Sequence, residues 1–178
     1  NVRKAVKNEI EVQVDNDALS LLEKFHNEGM ASIGGTCKEP VFFSLLGKHF
    51  EANEDYKIYV ARYRGKVVSA LLNFYSNDVV EYFIPVTSQA HRSLQPLALI
   101  IARAMLDAAH QGYRLWNFGG TWLSQEGVYR FKKKWGSFDM PYQYQIIVHN
   151  EQVLAADKND LLNWYKGFYL VPFSALNR

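Results

Sequence analysis

The sequence has a single cysteine, no long apolar run and almost no net charge. One cysteine, Cys37, excludes an internal disulfide, so we expect a protein of a reducing compartment, the cytoplasm. A membrane-spanning helix needs about 20 apolar residues, whereas the longest run, residues 96–106, is interrupted by Arg103. The formal net charge of +2 is too small to indicate nucleic-acid binding, so any basic surface must be local.

The sequence also lacks a pattern of metal ligands or of a nucleophile with its base. The histidines are scattered, with no cysteine or carboxylate pair at ligand spacing beside them: His26, His49, His91, His110 and His149. Cys37 follows a glycine-containing loop, and the residues near it include no clear activating partner. We therefore expect no metal site and no Cys/His or Ser/His/Asp catalytic arrangement.

What the chain does contain is enough apolar material for one folded domain. Of its 178 residues, 48% are hydrophobic and 15% are aromatic. No repeat, low-complexity tract or linker divides the sequence, so we predict a single domain over residues 1–178. The chain begins with Asn1 instead of methionine, and we expect it to be a fragment or a trimmed product.

Hydrophobic periodicity and turn residues predict a series of alternating elements. Three closely spaced β-rich runs with short polar turns predict an antiparallel meander. A helix before the next strand makes the connection to that strand a crossover. The predicted order is a strand at 9–15, a helix at 15–29 ending at Gly29, a helix from Pro40 to Phe50, strands at 56–63, 67–75 and 79–86, a long helix from Pro96 stopped by Gly112, a short buried strand at 113–118, a short helix at 125–135, a strand at 142–150, and a helix at 160–171.

This order predicts an α+β protein with a mixed, mostly antiparallel sheet flanked by helices. Within the short helix, the spacing of Val128, Phe131 and Trp135 predicts one stripe facing the core. Tyr129, Lys132 and Lys133 fall on a neighbouring face that can look outward into a groove. Ser124 precedes this helix as a predicted N-cap.

Two motifs in residues 117–136 each allow a structural and a functional interpretation. Lysines in the last turn of a helix complement its dipole and usually form a solvated face. Alternatively, the helix places a lysine ammonium group at the mouth of a cleft. The pair Gly119–Gly120 serves as a tight turn after a strand, or it lets the backbone approach a bound anion or acyl group closely.

The segment "WNFGGT" followed by "EGVYRFKKKWG" resembles the signature of the Fem-type aminoacyltransferases, which belong to the GNAT superfamily (acyl-CoA N-acyltransferase fold). Members of this family add amino acids from aminoacyl-tRNA to peptidoglycan precursors. "NVRKAVKNEIEVQV" is similar to the segment that opens their second lobe, and the resemblance covers about residues 1–145. The resemblance implies a GNAT-like fold and a preceding first lobe that is absent from this chain. It also implies self-association of this chain through the surface that would contact the first lobe.

The resemblance also implies the roles of individual residues. Lys132 occupies the place of a lysine thought to stabilise the oxyanion formed when an amine attacks an ester. Asn117 departs from the family pattern, in which many relatives have aspartate, and so weakens the expectation of activity. The residues expected to bind substrate are Arg92, Gly119, Gly120, Tyr129, Arg130, Lys133 and Lys134.

The expected partners are an activated acyl donor, such as aminoacyl-tRNA, and an amine-bearing acceptor, such as a peptidoglycan precursor. We expect no coenzyme A binding of the usual GNAT kind, because "HRSLQPLALI" has no glycine where a pyrophosphate loop would precede the long helix, and Pro96 removes an amide donor. Two alternatives remain open: a single-lobe small-molecule N-acyltransferase and a non-catalytic supporting or binding lobe.

Overall fold

The computed structural model describes residues 1–121, 125–141 and 147–165. The chain forms two compact units, residues 1–129 and 130–178. A compact unit is not by itself an independent domain, so the single domain over residues 1–178 stays a prediction. Among the described residues, no helix combines the length and apolarity that crossing a membrane requires.

The first unit contains the sheet and most of the helices. Helix α5 crosses the boundary between the units, and α6 lies in the second unit. In chain order the elements are α1 (Val2–Lys7), β1 (Glu11–Val14), a 3-10 turn (Asn16–Ala18), α2 (Leu19–Ser32), α3 (Pro40–His49), β2 (Tyr56–Tyr63), β3 (Lys66–Ser76), β4 (Val79–Thr87), a 3-10 segment (Gln89–Leu94), α4 (Pro96–His110), β5 (Leu115–Asn117), α5 (Glu126–Lys133), a second 3-10 turn (Glu151–Ala155) and α6 (Lys158–Trp164).

Five strands form one sheet in the described part of the chain, in the order β1-β2-β3-β4-β5. Neighbouring strands are antiparallel except β4 and β5, which are parallel. Arg64 and Gly65, both with positive φ, form the two-residue turn between β2 and β3, the geometry that matches the twist of a hairpin. The predicted meander and mixed α+β sheet are confirmed.

One face of the sheet packs against α2 and α3. Leu22 of α2 and Leu46 of α3 are almost fully buried against Ile58 of β2, Leu72 of β3 and Ile84 of β4. Successive strand residues point to opposite faces, so one alternating set supplies this core. Burying a side chain of this size stabilises the fold by about 1.5–3 kcal/mol.

The opposite face packs against α4, whose Ile100 and Ile101 are fully buried. This face also holds a buried lysine, Lys57, whose Nζ donates to Gln111 Oε1 at 2.6 Å and lies 4.9 Å from the ring centre of Tyr75. Burial lowers the pKa of Lys57, with the charge of Asp107 opposing the shift. A polar cluster therefore joins the end of α4 to the middle of the sheet.

Helix α2 does not end at Gly29 as predicted, but continues to Ser32. Its end is formed by Gly34, with φ of +65°, and Gly35, whose amides donate to Ala31 O at 3.3 Å and Met30 O at 2.9 Å. This pair of bonds is a Schellman motif, in which a left-handed glycine closes the helix. Gly29 is an ordinary interior position, because nothing lies within 4 Å of a Cβ placed there.

The structure differs from the prediction at three other places. Helix α1 was not predicted at all. Strand β5 is exposed, not buried, with Leu115 46% exposed, because β5 lies at the edge of the described sheet. The stripe of α5 is not a buried core: Val128 is 41% exposed, while Phe131 and Trp135 are half-buried in a mutual ring contact at 6.5 Å.

Several predictions fall outside the described residues. They are the N-cap Ser124, most of the strand at 142–150, and the helix beyond residue 165. The helices at 40–50, 96–111 and 125–135 are confirmed within a residue or two.

The two glycines of α2 give a matched test of where the helix ends. Gly34→Ala should destabilise the protein by about 1–2 kcal/mol, because alanine must adopt the left-handed conformation. Gly29→Ala should leave stability unchanged or raise it by up to about 1 kcal/mol, because alanine favours a helix interior. Neither Cβ meets an atom within 4 Å, so the two variants differ in backbone conformation alone. Urea unfolding measures both, and equal effects would contradict this assignment.

Candidate functional site

The parallel pairing of β4 with β5 is short and ends at a hydrogen-bonded side-chain pair. Three residue pairs make up the register, the last being Glu81 with Asn117. Asn117 Nδ2 donates to Glu81 Oε1 at 2.8 Å, and Asn117 Oδ1 accepts from the Gly119 N–H at 2.8 Å. Asn117 therefore ties the end of β5 to β4 and sets the turn that follows.

Strand β4 continues beyond this pair to Thr87, paired only with β3 in the described structure. The Ser88 N–H donates to Val68 O at 2.9 Å, and alternation along the ladder then places Pro85 in a non-hydrogen-bonded pair with Leu71. The nitrogen of Pro85 consequently faces the edge away from β3, where proline is tolerated and blocks addition of a strand.

A cavity of about 250 Å³ lies where the end of β4 meets α2. Its walls come from one face of α2 and from the junction between β4 and α4. The lining residues are Phe25, Glu28, Gly29 and Ser32 on the helix, and Thr87, Ser88, Gln89, Ala90 and Arg92 at the junction.

The hydroxyl groups of this cavity already have partners inside the protein. Ser32 Oγ donates to Gly29 O at 2.7 Å, Thr87 Oγ1 lies 2.9 Å from Ser69 Oγ, and Ser88 Oγ lies 3.2 Å from His91 Nδ1. By contrast, the side chains of Glu28 and Arg92 have no hydrogen bond or ion pair with any residue the structure describes. These two opposite charges, with the uncharged amide of Gln89, are the polar side-chain groups of the lining that no described residue engages.

The start of α4 differs from an ordinary phosphate-binding helix end. Gln95 at the N-cap has φ of +64°, and its side-chain amide donates to Arg92 O at 3.1 Å. Pro96 at the first helical position has no N–H, and the Ala98 N–H donates to Gln95 O at 3.1 Å. The start of α4 thus presents fewer free N–H groups than an ordinary helix end. That it does not bind coenzyme A stays a prediction.

The structure does not gather the predicted residues of the first unit into one pocket. Arg92 lines the cavity, whereas Gly119, Gly120 and Tyr129 do not. Gly119 has φ of +69°, which explains the glycine, and its amide already has Asn117 as a partner. Gly120 is exposed and Tyr129 is 42% exposed. Their proposed substrate contacts stay predictions.

The basic triplet lies in the second unit, and its three lysines are not equivalent. Lys132 is half-buried, and burial lowers its pKa. Lys133 Nζ pairs with Asp139 Oδ1 at 3.1 Å and donates to Ser137 O at 3.2 Å. Lys134 is exposed, as is Arg130. The triplet is therefore not a uniform solvated face, and Lys132 is its most buried member.

Sequence reasoning missed most of the cavity. Phe25, Glu28, Gly29 and Ser32 fall at i, i+3, i+4 and i+7, one stripe of α2. The signal was in the sequence, but ending the helix at Gly29 left Ser32 outside it and gave no reason to read the stripe as a cavity wall. Glu81 was missed because its pairing with Asn117 needs the sheet register. Among the described residues, no three His, Cys, Asp or Glu side chains form a group able to hold a metal ion.

A family model described as "Acetyltransferase (GNAT) domain" matches residues 2–133. The chain belongs to this family. The five-stranded mixed sheet with its helices is accordingly a GNAT fold, as the sequence predicted. No curated protein matches the chain significantly.

Solved structures similar to this GNAT domain share the fold at low identity. FemX matches with a TM-score of 0.66 and 14% identity over 77% of this chain and 52% of its own. An aminoglycoside acetyltransferase from an uncultured soil metagenomic sample, in complex with sisomicin, matches with a TM-score of 0.60 and 10% identity over 80% of this chain and 99% of its own. A predicted acetyltransferase with acetyl-CoA from Clostridium acetobutylicum matches with a TM-score of 0.61 and 12% identity over 79% of this chain and 99% of its own.

The hydrogen bond from Asn117 to Glu81 predicts that asparagine is more stable than aspartate at this position of the GNAT domain. Asn117→Asp should destabilise the protein by about 1 kcal/mol at pH 7, because it replaces a donor with a second carboxylate beside Glu81. Repulsion raises the pKa of one carboxyl group, so the loss should diminish as the pH falls and that group is protonated.

Urea unfolding at pH 7 and pH 4.5 measures this effect. The double variant Glu81→Gln/Asn117→Asp should recover stability at pH 7, because the glutamine amide can donate to the new carboxylate. An equal loss at both pH values, with no recovery in the double variant, would contradict the interpretation.

Proposed function

We propose that this GNAT domain is a Fem-like transferase. It forms an amide bond between an activated acyl or aminoacyl donor and an amine acceptor. Lys132 stabilises the oxyanion that develops when the amine attacks the donor ester. Membership of the GNAT acetyltransferase family supports the acyl-transfer chemistry; the donor, the acceptor and a role in cell-wall precursor modification belong to the proposal.

The observation that carries the proposal is the environment of Lys132. Within the segment that resembles the Fem signature, Lys132 is half-buried and burial lowers its pKa, whereas the side chains of Lys133 and Lys134 are exposed. A cation in a less polar environment interacts more strongly with a developing negative charge than a solvated one does. Lys133 is already neutralised by Asp139, so holding a donor phosphate would require it to exchange partners.

The similarity to FemX supports a second lobe in the proposed enzyme, since this chain covers 52% of the FemX chain. We propose that a first lobe contributes to the complete transferase. A row of phenylalanine rings in contact supports a covered surface: Phe42, Phe83, Phe74 and Phe50. Phe83 and Phe50 in this row are 41% and 45% exposed, so part of the row is open to a covering lobe.

A second candidate function is a single-lobe acetyl-CoA-dependent N-acetyltransferase acting on small amines. The family description favours it, as does the likeness to full-length aminoglycoside acetyltransferases. The glycine-free junction before α4, with Pro96 at its first position, argues against the coenzyme A donor.

In the active protein, Lys132→Ala should lower kcat by ~10²-fold or more, as loss of one oxyanion-stabilising group does. Lys134→Ala is the matched control, because Lys134 is exposed, and it should change kcat by less than roughly threefold. Transfer of a labelled alanyl group from alanyl-tRNA to an amine acceptor measures both, with circular dichroism as a check of folding.

The pH profile tests the role of the charge. Because burial lowers the pKa of Lys132, the activity of the wild type should fall as pH rises through that lowered pKa. In Lys132→Arg the guanidinium stays charged, so any remaining activity should lose this alkaline fall. If Lys132→Ala and Lys134→Ala lower kcat equally and only slightly, the lysine triplet has a structural role and the proposed function is contradicted.

Calorimetric titration with acetyl-CoA separates the two candidate functions. We expect no saturable binding at micromolar concentration, because the start of α4 offers no glycine amides to a pyrophosphate. A dissociation constant below ~10 μM, about 7 kcal/mol of binding free energy, would favour the acetyl-CoA-dependent candidate instead.

A further inference from the structure

We infer that the cavity between α2 and the β4–α4 junction binds a small zwitterion, an α-amino acid, with Arg92 contacting its carboxylate and Glu28 its ammonium group. The inference rests on the proposed function, in which the acceptor carries an amine, and it names the chemical class of that acceptor. It concerns binding alone and involves no step at Lys132.

The charges of the cavity carry the argument. Glu28 projects from α2 and Arg92 from the 3-10 segment, and no ion pair joins them although they line one small space. Neither side chain has another partner among the described residues. Two oppositely charged residues that line one cavity without forming an ion pair leave both charges available to a ligand that bridges them.

The same arrangement disfavours ligands with charge of one sign. A phosphate or a simple carboxylate would gain Arg92 but lie near the Glu28 carboxylate, and a polyamine would meet the reverse conflict. A zwitterion satisfies both groups. The hydroxyls of Ser32, Thr87 and Ser88 already have protein partners, so they contribute little to the choice of ligand.

Size and polarity agree with an amino acid. The cavity volume of about 250 Å³ is below the roughly 300–1,000 Å³ typical of sites for drug-sized ligands. Phe25 is partly buried against the main core and offers an apolar surface to a small aliphatic side chain. Both charged groups are exposed to solvent, so each contact is weak and a dissociation constant on the order of 1 mM is expected.

NMR titration of isotope-labelled 178-residue protein with L-alanine tests the inference. We expect saturable shifts at the amides of α2 and of the 3-10 segment. L-Alaninamide, which lacks the carboxylate, and N-acetyl-L-alanine, which lacks the ammonium group, should each bind at least about tenfold more weakly. Absence of saturation up to about 50 mM L-alanine, or equal binding of the three compounds, would overturn the inference.

Two conservative variants assign the contacts. Arg92→Gln should abolish the preference for L-alanine over L-alaninamide, and Glu28→Gln should abolish the preference over N-acetyl-L-alanine. Glu23→Gln is the matched control, since Glu23 lies on α2 outside the cavity lining, and it should keep both preferences. Undisturbed amide spectra establish that each variant is folded. Tighter binding of inorganic phosphate than of L-alanine would overturn the inference.

The outcome is separable from the proposed function. Lys132→Ala should bind L-alanine as the wild type does, because the assay needs no turnover. If L-alanine binds with both preferences but no acyl transfer is found, the zwitterion site stands and the proposed function fails. If transfer is found but the preferences are absent, the zwitterion site fails alone.

Discussion

The parallel pairing between β4 and β5 ends early, at the hydrogen bond between Asn117 and Glu81, and leaves the end of β4 paired with β3 alone in the described structure. Asn117 bonds both Glu81 and the Gly119 amide, so β5 turns away after three residues. Strand β4 then runs on to Thr87 without β5 beside it, and Pro85 keeps that edge from accepting another strand. The segment from Thr87 to Arg92, where β4 ends, forms one wall of the cavity, and α2 forms the other.

The cavity and the lysine triplet use electrostatics in different ways. In the cavity, Glu28 and Arg92 are exposed charges that remain apart, so their value is selectivity for a ligand that carries both signs. In the triplet, partial burial makes Lys132 unlike Lys133, which is paired with Asp139, and unlike the exposed Lys134. Identical residue types thus acquire separate chemical properties from their surroundings.

Most of the fold could be predicted from the sequence because it follows from local periodicity. The β-rich runs in residues 56–87 and the polar turns between them, such as Arg64 and Gly65, specify the meander, and the stripe beginning at Pro96 specifies the long helix. The end of α2 was predicted wrongly because Gly29 and Gly34 look alike in a sequence. They differ in φ, and only the helix-closing bonds of Gly34 and Gly35 show which one terminates it.

The sequence by itself determined most of the described strands and helices, the GNAT resemblance and the basic triplet, since each depends on residues that are neighbours in the chain. Arg92 was also found in this way. Tertiary structure alone decided that Arg92 shares a cavity with Glu28, that Glu81 bonds Asn117, and that Lys132 differs from its neighbours. The physical reason is that burial, charge separation and register arise from contacts between residues far apart in sequence, which local periodicity does not encode.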